Sequence, residues 1–137
     1  MAEARQPSAK GAASGPVVFG ISNCDQVRKA RAWLQLAGVD YRFHDFRADG
    51  LDGTHLAVWM RHVPWDALLN RRGTTWRRLD EARRASVTDQ RSAIELMLAE
   101  PTLVKRPVLQ HGQRILVGFS EPLYAALFGP AHPAPAT

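Results

Sequence analysis

The first third of the chain carries the pattern that most restricts its fold: an apolar run, then helical spacing, then a second extended run. Residues 17–21 (VVFGI) are apolar throughout, which is typical of a buried parallel strand. From Asn23 onward, apolar residues recur at helical spacing as far as Gly38, a residue suited to end a helix. Residues 41–46 (YRFHDF) predict a second strand, so this segment indicates the strand–helix–strand crossover of an α/β domain.

The rest of the chain predicts a helical block, a hairpin and a final helix. Residues 52–99 carry apolar positions at helical spacing, and Pro101 closes that region. Apolar runs at 107–109 and 115–119 then flank a glycine-containing loop, which indicates an antiparallel hairpin. Ser120 is suited to cap a last helix. This order predicts a sheet assembled from both ends of the chain around an inserted helical subdomain.

The composition fits one globular domain with two short tails. The 137 residues, 45% of them apolar, are enough to bury a core, and we assign this single domain to residues 16–128 with the helical insertion at about 51–100. Residues 1–15 and 129–137 are rich in Ala, Ser, Gly or Pro, and we expect both to be disordered. Because no apolar run is long enough for a signal core or a membrane span, we expect a cytoplasmic protein without membrane contact.

The formal net charge of +5 favours anionic partners without choosing among them. Arginine pairs between Arg71 and Arg84 are interleaved with Trp76, as in surfaces that bind nucleic acid or acidic proteins. A solvated helix face with Asp80 and Glu81 as local partners explains the same pattern equally well. The five histidines lack metal-site spacing and the glycines form no phosphate-cradling loop, so the sequence predicts neither a metal nor a nucleotide cofactor.

Cys24 is the only cysteine, so any disulfide it forms must use a sulfur from another molecule. It lies where the first strand gives way to the first helix, and the unpaired N–H groups of a helix start stabilise a thiolate. Asn23 is expected to cap this helix, and Arg28 to add positive charge, whereas the charge of Asp25 would oppose a thiolate. The alternative, an inert buried thiol, is disfavoured by the polar run around Cys24.

Five stretches of the chain resemble, in order and spacing, the arsenate reductase family with its Spx-like relatives. They are GISNCDQVRKARAWL, YRFHDFRADGL, LLNRRGTTWRRL, IELMLAEPTLVKRPVL and LVGFSEPLY, and the likeness runs from about residue 17 to residue 128. It points to a branch of arsenate-reductase-related bacterial proteins for which a glutathione-dependent thiol reductase role has been suggested. The resemblance implies an α/β fold: a thioredoxin-like sheet with an inserted helical subdomain.

The resemblance also implies how an active site would be assembled. Cys24 would be the nucleophile, and the loop that ends at Pro107 would be the cis-proline loop facing it. A cis Arg106–Pro107 bond would turn the Arg106 guanidinium towards Cys24, where it would bind an oxyanion or a glutathione carboxylate. The other interpretation of Arg106 is a surface basic residue before a strand-starting proline. Further candidates for substrate binding are Asn23, Arg28, Arg71 and Arg72.

Two departures from the family pattern limit the chemistry that we expect. Arsenate reductases coupled to glutathione place three arginines around the cysteine; of these, only Arg106 has a clear counterpart, while the others fall at Asn70 and near Gly118. We therefore expect slow arsenate reduction. Val27 occupies the position of the second thiol of a CxxC pair, so monothiol chemistry remains, with glutathione or a glutaredoxin resolving the intermediate.

A second hypothesis is a non-enzymatic, Spx-like interaction protein. The basic helical insertion would then bind RNA polymerase, nucleic acid or another acidic partner, and Cys24 would be a relic or a one-thiol sensor. The missing arginines and the absent second cysteine keep this hypothesis open. A binding module needs the whole basic face, whereas an enzyme needs only the residues that reach Cys24.

Overall fold

The computed structural model describes residues 15–129, and these residues form two compact units. Residues 15–48 and 106–129 form the first, the sheet unit, and residues 49–105 form the second, the helical unit. Most of the two tails expected to be disordered, residues 1–14 and 130–137, lies outside the described residues. Within residues 15–129, no helix is long and apolar enough to cross a membrane, and no group of three or more His, Cys, Asp or Glu side chains is arranged to hold a metal ion.

A four-stranded mixed sheet organises the sheet unit. Its strands are β1 (Val17–Gly20), β2 (Arg42–Asp45), β3 (Val108–His111) and β4 (Arg114–Val117), in the spatial order β2-β1-β3-β4. The pairing of β1 with β2 is parallel, while β1 with β3 and β3 with β4 are antiparallel. Both ends of the chain thus contribute strands to one sheet, and the expected α/β, thioredoxin-like architecture is confirmed.

Two helices complete the sheet unit, α1 (Asp25–Leu36) and α8 (Glu121–Phe128). Gly38 ends α1 in the left-handed region, with φ 75°. Its N–H donates to the Gln35 carbonyl at 3.1 Å, and the N–H of Val39 donates to the Leu34 carbonyl at 2.9 Å. These two hydrogen bonds satisfy carbonyls of the last turn that have no partner within the helix. They end the helix at the place that the position of Gly38 predicted, and the chain then leads to β2.

The core of the sheet unit lies between α1, α8 and the sheet. Its buried members are Val18, Ala30, Trp33, Leu34, Leu109 and Tyr124. Ser120 caps α8 as expected, accepting the N–H of Leu123 at 3.2 Å, and thereby orients the helix so that Tyr124 is fully buried. The Tyr124 ring meets Trp33 edge-on, with 5.7 Å between ring centroids.

The chain between β2 and β3 is helical, as expected, but it is broken into short pieces. They are α2 (Phe46–Asp49), α3 (Gly53–Trp59), α4 (Trp65–Leu68), α5 (Thr74–Arg78), α6 (Glu81–Ala85), α7 (Gln90–Ala99) and a 3₁₀ turn (Pro101–Leu103). Asp52, Asp80 and Asp89 each accept an N–H of the helix that follows, so aspartate caps start three of these helices. The helical insertion expected at about residues 51–100 falls within the helical unit.

A short antiparallel contact joins distant parts of the helical unit. Leu69 and Val104 form a β-bridge. The Asn70 N–H donates to the Leu103 carbonyl at 2.7 Å, and the Lys105 N–H donates to the Leu68 carbonyl at 2.8 Å. This bridge fixes the segment that follows α4 against the segment that leads out of the unit.

Candidate active site

Cys24 is itself the N-cap residue of α1. Its backbone is extended, with φ −117° and ψ 130°, and its carbonyl accepts the Arg28 N–H at 2.9 Å, the first hydrogen bond of the helix. Asn23 lies in the preceding turn with an exposed side chain, so the expectation that Asn23 caps the helix is wrong. The helix starts one residue later than we expected, at Asp25, and the cap position therefore falls on the cysteine.

The sulfur of Cys24 takes the place that a cap oxygen has in other helices, facing the N–H groups of the first turn. The Cys24 side chain forms no cap hydrogen bond of standard geometry. Burial raises the pKa of Cys24, but the Val27 N–H, the Arg106 side chain and the Gln26 N–H together outweigh burial and lower this pKa below its ordinary value. The site therefore favours the thiolate, the nucleophilic form of cysteine.

Arg106 belongs to the loop that leads into β3, and it acts on Cys24 through both hydrogen bonding and charge. The Arg106–Pro107 peptide bond is cis, the form that the resemblance implies. Pro107 is buried, and its carbonyl accepts the N–H of Gly118 at 2.8 Å, which ties this loop to the end of β4. Cys24 and Arg106 are thus brought together within the sheet unit.

Arg28 is not among the groups that stabilise the Cys24 thiolate, contrary to our expectation, while its expected role in substrate binding stays a prediction. Its guanidinium donates to the carboxylate of Asp25, three residues earlier on the exposed side of α1. The groups that lower the pKa of Cys24 are Val27, Arg106 and Gln26, and Arg28 is not among them. An aspartate at i−3 captures the arginine, and the resulting pair sets a positive charge beside the carboxylate that would otherwise oppose the thiolate.

Gly20 is a site residue that the sequence reasoning missed. It is the last residue of β1, and a Cβ built on it would lie 2.6 Å from Cγ2 of Val27. Only a residue without a side chain lets the first turn of α1 come this close to the strand, and that turn supplies the N–H groups that face Cys24. A glycine directly after three bulky apolar residues, within a buried strand, was the available signal.

Arg71 and Arg72, the other candidate substrate ligands, lie next to each other in the helical unit with exposed side chains. The Arg71 guanidinium carbon is 5.7 Å from the ring centroid of Trp65 and 5.9 Å from that of Trp76. Arg72 is held by its backbone, because its N–H donates to the Asn70 side-chain oxygen at 3.0 Å. The structure groups these arginines with aromatic rings in one unit, and Cys24 with Arg106 in the other.

Three of the remaining paired arginines are engaged within the helical unit. Arg77 donates to the carbonyl of Arg72 at 2.6 Å, and Arg84 donates to the carbonyl of Leu79. Arg83 lies 3.6 Å from the Glu100 carboxylate. These arginines therefore have local partners, as the interpretation of a solvated helix face requires. The partners are mainly backbone carbonyls and Glu100, because Asp80 is occupied as a helix cap.

Comparisons with known proteins agree with this arrangement. The family model described as "ArsC family" matches residues 19–127. An uncharacterised protein of Haemophilus influenzae is 42% identical over 111 residues, which cover 81% of this chain and 96% of that protein.

Two solved structures are similar over most of their length. The YFFB protein is 50% identical with a TM-score of 0.79, over 82% of this chain and 98% of its own. A protein of Brucella melitensis described as arsenate reductase (ArsC) related is 46% identical with a TM-score of 0.66, over 90% and 98% of the two chains. With its sheet, its helix-terminal cysteine and this similarity along most of its length, the chain belongs to the ArsC family of arsenate-reductase-like thiol oxidoreductases.

Proposed function

We propose that this protein is a monothiol oxidoreductase that uses glutathione as its co-substrate. One observation carries the proposal: the Val27 and Gln26 N–H groups and the Arg106 guanidinium lower the pKa of a cysteine at a helix start. The sulfur is only partly buried, so a substrate disulfide has access to it. Glutathione chemistry suits the reducing cytoplasm, where we place the protein.

The proposed reaction has two exchange steps. The Cys24 thiolate attacks the glutathione sulfur of a mixed disulfide, the substrate S–S bond breaks, and the thiolate of the deglutathionylated substrate leaves and takes a proton from water. Cys24 is then joined to glutathione by a disulfide. A second glutathione, as thiolate, attacks the glutathione sulfur of that disulfide, which releases oxidised glutathione and restores the Cys24 thiolate.

Arg106 would bind the substrate as well as stabilise the nucleophile. A guanidinium can hold a carboxylate of glutathione through two parallel hydrogen bonds, which orients the disulfide for attack along the S–S axis. Arg106 comes from the loop into β3 and Cys24 from the start of α1, so the two groups are held by different elements of the same unit. The positions of Cys24 and Arg106 are therefore set by the backbone next to regular elements.

The resolving thiol would come from outside the chain. Val27 stands three residues after Cys24, where a dithiol enzyme has its second cysteine, and the chain has no other thiol. Free glutathione is the resolving thiol that we propose, with a glutaredoxin as the protein alternative. Arsenate is expected to be reduced far more slowly than by a family member with all three arginines, measured side by side, because only Arg106 has a counterpart here.

Glutathionylation tests the proposal directly. Protein treated with oxidised glutathione should gain one adduct, at Cys24, and Cys24→Ser should gain none, as measured by intact mass. Arg106→Lys keeps the charge but loses the planar fork, and it should react at an intermediate rate between the wild type and Arg106→Ala. A wild-type protein that stays unmodified would contradict the proposal.

The pH dependence of Cys24 alkylation provides a second test. Because the folded pKa of Cys24 is lowered, its iodoacetamide reaction should reach half its maximal rate below the value of about 8.5 typical of a free thiol. The same chain unfolded in denaturant is the control and should titrate like a free thiol. Coincident curves for the folded and unfolded chain would remove the main support for a thiolate nucleophile.

A further inference from the structure

The helical unit contains a cavity that is lined by neither Cys24 nor Arg106. Its volume is about 450 Å³, and it is lined by Asp66, Leu69, Arg71, Arg72 and Lys105. All five residues belong to the helical unit. This volume lies within the range of about 300–1,000 Å³ that small-molecule sites occupy.

The charge of this lining is not balanced. Three cationic side chains face one carboxylate, which leaves a formal excess of two positive charges. No carboxylate among residues 15–129 lies within 4.0 Å of Arg71, Arg72 or Lys105, and Asp66 itself forms no ion pair within that range. Cations that converge without a counter-charge repel one another, and an anion bound between them relieves that repulsion.

The backbone that carries these cations is fixed, although their side chains are exposed. The Arg71 guanidinium carbon lies near the ring centroids of both Trp65 (5.7 Å) and Trp76 (5.9 Å). The backbone of Arg72 is bonded on both sides, its N–H to Asn70 and its carbonyl to Arg77. Lys105 is tied by its N–H to Leu68 in the β-bridge segment. The three cations therefore extend from fixed points of the backbone, and a bound anion would order their exposed side chains.

We propose that the helical unit binds a phosphate group, free or as a monoester, in the cavity lined by Arg71, Arg72 and Lys105. At neutral pH a phosphate monoester carries about −1.5 to −2 charge, which matches the excess of the lining. Its oxygens accept hydrogen bonds from two guanidinium forks and one ammonium group at once. This proposal does not rest on the proposed function, because neither Cys24 nor Arg106 lines the cavity.

Titration of the full-length protein with inorganic phosphate tests this proposal, followed by 15N NMR at constant ionic strength. The indole N–H signals of Trp65 and Trp76 should shift, while those of Trp33 and Trp59 should not; single Trp→Phe variants assign the four signals. Arg71→Gln combined with Arg72→Gln should weaken phosphate binding at least tenfold, and Lys105→Gln should weaken it severalfold. Phosphoserine, titrated in parallel, distinguishes the two sources: tighter binding than inorganic phosphate identifies an ester as the ligand, and equal binding identifies free phosphate.

Two matched variants make the result specific. Arg91→Gln removes the same charge from an exposed residue of the same unit that pairs with Glu95, and it should bind phosphate like the wild type. Arg106→Ala should also bind phosphate like the wild type, even if it loses thiol reactivity. The proposal is overturned if phosphate produces no more shift than chloride, if the double variant binds normally, or if Arg106→Ala abolishes binding, since the phosphate would then belong to the Cys24 site.

Discussion

Arg106 of the sheet unit and the paired arginines of the helical unit have different surroundings. In the sheet unit, Arg106 acts on a single reactive sulfur, and helix and strand geometry hold both groups. In the helical unit, Arg77 and Arg84 bind carbonyls of their own segment, while Arg71 lies against aromatic rings. The number of arginines in a unit therefore says little about the role of any one of them. What distinguishes the two cases is whether the positive charge meets a reactive group or the protein's own backbone.

Removing arginines from each unit in turn should produce the largest difference. Arg106→Ala should slow Cys24 glutathionylation about tenfold or more at neutral pH, because a hydrogen bond to a charged group contributes roughly 1.5–3 kcal/mol. The same change should raise the Cys24 pKa in the alkylation assay. Both rates are measured by intact mass against time.

The matching change in the helical unit replaces Arg77, Arg78, Arg83 and Arg84 together by Gln. Glutathionylation of Cys24 should stay nearly unchanged, while any capture of nucleic acid or RNA polymerase at moderate salt should disappear, since such binding sums many weak contacts. Loss of thiol reactivity in a variant whose circular dichroism is unchanged would place those arginines in the active site. It would also remove Arg106 as the main anion ligand.

Two glycine substitutions, one in each unit, should change the free energy of unfolding by different but smaller amounts. Gly20→Ala would set a Cβ 2.6 Å from Cγ2 of Val27, and overpacking of this kind costs about 1–3 kcal/mol. Gly53→Ala is the matched control in the helical unit, since its Cβ would meet Leu98 at 3.8 Å, an ordinary contact. Urea denaturation should show a lower free energy of unfolding for Gly20→Ala and an equal or higher one for Gly53→Ala. Equal losses of unfolding free energy would mean that β1 and α1 move apart enough to accommodate the added methyl group at little cost.

Removing one hydroxyl from each unit should give the smallest effects, with opposite signs. The Tyr124 hydroxyl is buried and has no hydrogen-bond partner among the described residues, so Tyr124→Phe should leave stability unchanged or raise it by up to about 1 kcal/mol. Thr75 and Thr102 share a hydrogen bond of 2.6 Å, so Thr75→Val should lower the stability by about 1 kcal/mol. Thermal melts of the two variants measure both shifts. A clear loss for Tyr124→Phe would reveal a hydroxyl partner beyond residues 15–129.

The sheet unit was largely predictable because its signals are local and strong. The apolar run at 17–21 predicted β1, Gly38 predicted the end of α1, and Ser120 predicted the cap of α8. Each of these depends on one residue type whose backbone or hydrogen-bonding preference dominates its position. The parallel pairing of β1 with β2 followed from the helix between them.

The details of the site were less predictable, because they depend on where a helix starts to within one residue. Asn is a better cap than Cys by preference, so Asn23 was favoured, but a turn at residues 22–23 delays the helix and makes Cys24 the cap. The thiolate-stabilising role expected of Arg28 failed for a similar reason, since its i−3 neighbour Asp25 competes for the same guanidinium. The breaks between the short helices of residues 52–99 depend on aspartate caps, which helical periodicity does not reveal.

The N-cap position of Cys24 has a consequence for any disulfide that this residue forms. Because the folded pKa of Cys24 is lowered, ionised Cys24 stabilises the fold: this stabilisation is complete above the unfolded pKa and is lost as the pH falls through the folded pKa. A disulfide at Cys24 has no negative charge to offer the first turn of α1 or Arg106, so it forfeits the same stabilisation. We therefore expect a mixed disulfide at Cys24 to be more oxidising than one at an exposed cysteine, and its exchange with free thiols to favour the reduced protein.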